Sequence, residues 1–344
     1  MIRTHRRLTA AALALALVVV SLGAWVRLSD AGLGCPDWPG CYGQLIGVPE
    51  AAHEVTRAEA AFGKPVEAPK AWKEMIHRYA AGGLGLVIAA LAVLAWRQRA
   101  RRSPWLELAL LAVVSGQALL GMLTVTRLLK PLIVTSHLLG GMTTLALLVL
   151  LWRRQRPAGP APAVSAPLRL LAGTALATVV VQIALGGWVS SNYAAAICAD
   201  FPTCQGSWWP TMDVHHAFTL DRELGATASG ALLPAAALTA IHWAHRLFAG
   251  VVLLVVGSFG LKLLGQRRLS GHGLVLLAAL AVQISLGIAN VLLQLPLPLA
   301  VAHNTGAALL LCAVLAACAQ VFQGKEARGR VPAAGFPRRF EAVR

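Results

Sequence analysis

"LGAWVRLSDAGLGCPDWPGC", residues 22–41, returns in altered form as "LGGWVSSNYAAAICADFPTC", residues 185–204. Trp25 matches Trp188, Cys35 matches Cys198 and Cys41 matches Cys204, all at an offset of 163. The doubling continues downstream. "EMIHRYAAG" (74–82) matches "HWAHRLFAG" (242–250) at an offset of 168, and Gln117 and His137 match Gln283 and His303 at an offset of 166. Near-constant offsets over so many landmarks mark an internal duplication.

The duplicated unit is greasy. Of 344 residues, 57% are hydrophobic and 13% charged, where an ordinary soluble domain carries about 25% charge. Apolar runs near the ~20 residues a bilayer needs lie at 8–27, 74–96, 104–125, 131–152, 168–189, 240–264, 271–293 and 298–321. The first run follows "RTHRR" and is read as a retained span, because it exceeds a signal-peptide core and lacks a small-x-small cleavage site. The fold class is therefore an all-α polytopic membrane protein with eight transmembrane helices. Four spans per repeat is an even number, so both halves insert the same way. Two tandem four-helix bundles related by a pseudo-two-fold along the membrane normal are expected. The N-terminal bundle takes residues 1–156, a Pro/Ala-rich linker 157–167, the C-terminal bundle 168–324 and a basic tail 325–344.

Charge sets the orientation. Basic clusters at Arg3/Arg6/Arg7, 97–102, 153–156, Lys262/Arg267/Arg268 and in the tail alternate with segments of mixed or little charge. By the positive-inside rule both termini are cytoplasmic. The net charge of +16 is scattered over these rims, which excludes a nucleic-acid footprint. The long loops, 28–73 and 190–239, face the compartment that permits disulfides, and each holds two cysteines. Cys312 and Cys318, inside the last span, read as small buried apolar residues.

Four of the ten histidines fall on repeat-equivalent positions within the spans: His77 and His245, His137 and His303. Ionisable residues in a bilayer point to function. His77 and His245 are expected within about a turn of the outer helix ends, with His137 and His303 one to two turns in. Each half then aims two imidazoles at one point. That suits the axial positions of a six-coordinate heme better than a structural zinc, which wants four ligands. Glycines at 80–85, 138–141, 247–250 and 304–308 offer room for a flat macrocycle. Arg78 and Arg246, each following a histidine, are candidate propionate partners. His5, His53 and His272 read as surface residues, as do His215 and His216.

The repeat breaks at one telling place. Glu74 stands three residues before His77, on the same helix face, while its counterpart is His242. A carboxylate beside a heme can move protons or stabilise positive charge. The first half is thus expected to do chemistry and the second to carry electrons.

"GAWVRLSDAGLGCPDWPGC", "PKAWKEMIHR", the His-x-x-His-Arg of 242–246 and the late "AHNTGA" together resemble the heme A synthase family over roughly residues 8–321. The resemblance implies an oxidoreductase that turns a methyl group of heme O into the formyl group of heme A, for aa3-type terminal oxidases. It implies that His77 and His137 flank the substrate heme in the N-terminal bundle, that His245 and His303 ligate heme b in the C-terminal bundle, and that Glu74 is the catalytic carboxylate. It matches Cys35 and Cys41 to a pair implicated in activity, with Cys198 and Cys204 more structural. A disulfide in each loop would close a seven-residue ring. Also implied are residence in the bacterial cytoplasmic (inner) membrane, heme O from a heme O synthase, terminal oxidase assembly factors as recipients and an electron acceptor the sequence does not name. No nucleic acid is expected, and homo-oligomerisation is left open. The competing readings are a diheme cytochrome b-like electron carrier and a transporter with parallel repeats. The first should place hemes near both membrane faces, and the second should carry polar groups at mid-membrane. The shared depth of the histidines and the Leu, Ala and Val of the helix centres argue against both.

Overall fold

The computed structural model describes residues 2–156 and 164–328, with side chains over 3–156 and 164–322. Most of the linker (157–163) and the tail beyond 328 lie outside the described residues. The helices are α1 (Ile2–Leu28), α2 (Ala52–Phe62), α3 (Ala68–Arg97), α4 (Trp105–Thr126), α5 (Pro131–Arg154), α6 (Ala166–Ser191), α7 (Val214–Ala217), α8 (Ala235–Leu264), α9 (Ser270–Leu292) and α10 (Leu297–Arg328). Among the described residues eight helices are long and apolar enough to cross a membrane; α2 and α7 are the short exceptions.

The expected spans are all present, and several run further. α3 begins at Ala68 and α8 at Ala235, ahead of the apolar runs. Proline in the first turn of α3, α5 and α6 presets the entry dihedral where no amide partner is needed. The less apolar opening of α3, "APKAWK" (68–73), still forms helix because backbone bonding continues upward from the apolar segment.

Each half closes the same ring of neighbours. α1 packs on α3, α3 on α4, α4 on α5 and α5 on α1; α6, α8, α9 and α10 repeat this order. Between halves, α1 meets α10 as α6 meets α5, and α5 meets α10. One apolar core runs through both halves, with Ile88, Leu91, Leu148, Val256, Phe259 and Val314 sealed in it. Even the strained backbone is duplicated. Left-handed non-glycine residues come as Asp30 and Tyr193, Tyr42 and Gln205, Leu128 and Gln294, Leu129 and Leu295. Each pair is one position in the two repeats, so the same turn geometry was kept twice.

Candidate functional site

α3 and α8 begin ahead of their apolar runs, so their histidines lie further along the helix than the runs alone suggest. His77 is nine residues past the start of α3 and His245 ten past the start of α8, while His137 and His303 are each six past theirs. Glu74 is likewise well inside α3, so a helix N-terminal role is excluded for it.

Each half brings its two histidines together. His77 and His137 lie near enough that a charge on one ring would be felt by the other, and so do His245 and His303. Every ring lies against a glycine of a neighbouring helix. A Cβ at Gly23 would stand 3.0 Å from Cε1 of His77, at Gly121 3.5 Å from that of His137, at Gly186 3.1 Å from that of His245 and at Gly287 3.1 Å from that of His303. At Gly23, Gly186 and Gly287 the missing Cβ lets the ring come closer to the backbone than a side chain would allow without the ring giving way; at Gly121 the contact is an ordinary one. These four glycines were absent from the expected cradle. The duplicated "LGAWV" and "LGGWV" already carried the signal for Gly23 and Gly186. Among the expected glycines, Gly82 and Gly250 face open space, while Gly140 and Gly306 are met by Gln117 and Gln283.

The two pairs are dressed differently. Gln182 sets its amide nitrogen 3.2 Å from Nδ1 of His245 and donates to the His245 carbonyl at 3.1 Å. Gln283 does the same for His303, at 3.3 Å and 3.1 Å. In the first half, Nδ1 of His77 and of His137 is buried without a hydrogen-bond partner. The counterpart of Gln182 there is Val19. Among the described residues no group of three or more His, Cys, Asp or Glu converges as a metal cage would require, so the imidazoles stand in pairs. Paired imidazoles lying against glycines fit the residues that would hold a heme iron in each bundle.

Glu74 is buried, and each of its carboxylate oxygens accepts one hydrogen bond. Its Oε2 accepts from the Cys35 amide at 3.0 Å and its Oε1 from the Arg78 guanidinium at 2.6 Å. Arg78 also donates to the carbonyls of Asp37, Pro39 and Gly40. Arg246 donates to the carbonyls of Cys198, Asp200 and Thr203, and through Nε to His242 at 3.1 Å. Both arginines thus clamp a cysteine loop, work that the propionate expectation did not include. The loops are closed by the Cys35–Cys41 and Cys198–Cys204 disulfides. Asp37 and Asp200 fold them further by accepting from the amides of Tyr42 and Gly43, and of Gln205 and Gly206.

One histidine, His5, differs from its surface reading. His5 is buried, 3.4 Å from Glu107 and 3.0 Å from Gln155, because the start of α1 meets the first turn of α4 and the end of α5. His216 pairs with Asp213 at 2.6 Å and closes the short α7.

The cytochrome oxidase assembly protein model (COX15-CtaA) matches residues 6–315. The chain belongs to that family. Members similar to it include the heme A synthase of Shewanella oneidensis, 42% identical over 298 residues, covering 86% of this chain and 90% of the relative. The heme A synthase of Caulobacter vibrioides is 29% identical over 331 residues, covering 89% and 92%. That of Shouchella clausii is 29% identical over 273 residues, covering 76% and 83%. Across this family match, the paired imidazoles and the Glu74 clamp fall inside the matched residues.

Proposed function

We propose that the chain is a heme A synthase, a membrane oxidoreductase that converts the methyl group of heme O to the formyl group of heme A. Family membership and the duplicated imidazole pairs support this reading. The observation that carries it is the single break in the repeat: Glu74 beside the His77/His137 pair, and His242 beside the His245/His303 pair. The N-terminal bundle takes heme O between His77 and His137. In the C-terminal bundle His245 and His303 would hold heme b, which would supply one-electron transfer.

Methyl-to-formyl conversion is two successive two-electron oxidations with loss of protons and gain of one oxygen. The chain's part is to hold the macrocycle and to handle protons and charge. Arg78 balances the Glu74 carboxylate, and the Cys35 amide fixes its plane. Each carboxylate oxygen keeps a lone pair for a proton or for developing positive charge. Gln182 and Gln283 fix the orientation of the second pair, as suits a site whose ligands must not move during electron transfer. The disulfide loop keeps the Cys35 amide on Glu74, which links the loop to the chemistry through one hydrogen bond.

On this reading the chain sits in the bacterial inner membrane with both termini on the cytoplasmic side, receives heme O from a heme O synthase and passes the product to terminal oxidase assembly factors. The test is heme extraction and chromatography from membranes producing this chain with a heme O synthase. Heme A with the intact chain, and none with His77→Ala, is the expected result. Heme b with unchanged heme O would favour the electron carrier instead.

A further inference from the structure

The loop after each disulfide carries an apolar tip. Leu45 and Ile46 are 71% and 85% exposed, and Trp208 and Trp209 are 67% and 74% exposed. They are the same positions of the two repeats, 163 apart. A third pair joins them, Trp38 and Phe201, at 40% and 42% exposure inside the disulfide rings. Stretches 42–48 ("YGQLIGV") and 205–211 ("QGSWWPT") hold no charged residue. The neighbouring α2 holds His53, Glu54, Arg57 and Glu59.

The depth of these tips can be read from their bonds. The Gly47 amide donates to the Tyr79 hydroxyl at 2.8 Å, and Arg78 grips the ring carbonyls, among them Asp37 at 2.9 Å. Tyr79 lies eleven residues past the start of α3, about 16 Å along its axis at ~1.5 Å per residue. Counting back about 20 residues of bilayer from Arg97, at the basic end of α3, reaches the level of His77 to Tyr79. The same count on α8, from Leu264, reaches Ala244 to Arg246, where Arg246 grips the second ring. Lipid-facing apolar side chains begin at those levels: Ile76 and Tyr79 on α3, Leu247 on α8. The loops therefore bend back down to the edge of the hydrocarbon. Their tips meet it with Leu-Ile in one half and Trp-Trp in the other, residue types suited to burial at that boundary.

We infer that the two post-disulfide tips, Leu45-Ile46 and Trp208-Trp209, insert into the adjacent lipid leaflet and anchor each cysteine loop to the membrane surface. The occupant of this surface is lipid, not a protein partner. Arg78 and Arg246 fix the height of the rings, and the tips hold them there from the other side. The inference rests on loop geometry and does not depend on the proposed reaction.

The test is a photo-activated diazirine side chain placed singly at 46, 209, 57 and 86 in the full chain, in phosphatidylcholine nanodiscs. Leu86, on the exposed face of α3, is the lipid control, and Arg57 on α2 the water control. Lipid adducts should dominate at 46 and 209 as at 86, with solvent adducts at 57. Solvent adducts at 46 and 209, or crosslinks to another polypeptide, would overturn the inference. Should the probe disturb folding, native fluorescence reads the same point. In vesicles of brominated phosphatidylcholine, the emission removed by W208F/W209F should be the quenched fraction; an unquenched fraction refutes insertion.

Discussion

A glycine at 23, 121, 186 or 287 lets an imidazole rest on a neighbouring helix. At 23, 186 and 287 a methyl group would crowd the ring, which must give by a few tenths of an ångström, and overpacking of this kind costs about 1–3 kcal/mol. Gly186→Ala should therefore weaken retention of heme b, read as a lower heme-to-protein ratio with an altered visible spectrum. Gly23→Ala should spare heme b and lower heme A formation. Gly82→Ala, where a Cβ meets nothing within 4 Å, should change neither. Glu74 asks for a finer substitution. Glu74→Gln can still accept from the Cys35 amide but loses the charge facing Arg78. Loss of a positioned proton acceptor lowers a rate by roughly 10²–10⁴. Heme A should fall on that scale at unchanged protein and heme b levels. Full heme A output from Glu74→Gln would leave Glu74 as a loop anchor alone.

At the scale of elements, the cysteine loops are short chains held by one arginine, one aspartate and one disulfide. The Thr203 hydroxyl, followed by the Gly206 and Gln205 amides, holds the Asp200 carboxyl at about 2, below its ordinary 3.8. A depressed carboxyl stabilises the fold fully above its unfolded value and loses that contribution as pH falls through its folded one. The second loop should thus hold its shape down through pH 3.8 and loosen toward about 2. Amide exchange at Gln205 and Gly206 reads this directly; Asp200→Asn should advance the loosening to neutral pH. The helices were legible in sequence because their apolar runs have bilayer length, and the four ligand candidates because duplication aligned them. The loop clamps were not. Arg78 was read as a propionate partner because sequence shows which residues share a helix, not that a loop folds back over 38 to 41 positions to meet one. His5 was hidden similarly, since its burial depends on Glu107 and Gln155 from helices far along the chain. The polar opening of α3, "APKAWK", made that helix read short.

In the whole molecule, residues touch their own repeat counterparts. Arg27 donates to the Ser190 carbonyl at 2.6 Å, and Tyr193 donates to Asp30 at 2.7 Å, both across 163 positions. These contacts join the halves at matching points of the repeat. An architecture this even makes its one chemical asymmetry testable by exchange. In Glu74→His the new imidazole can accept from Arg78, as His242 accepts from Arg246 at 3.1 Å. The first loop should stay clamped while the negative charge is gone. Heme A formation should be lost with heme b retained. In His242→Glu the carboxylate can bind Arg246, yet the site beside it keeps Gln182 and Gln283 on its histidines and should stay an electron-transfer site. The double exchange should consequently make no heme A by chromatography, although the number of carboxylates and imidazoles in the molecule is unchanged. Heme A from the double variant would mean that either bundle can take the substrate, and that the glutamines, not only residue 74, fail to divide the work between them.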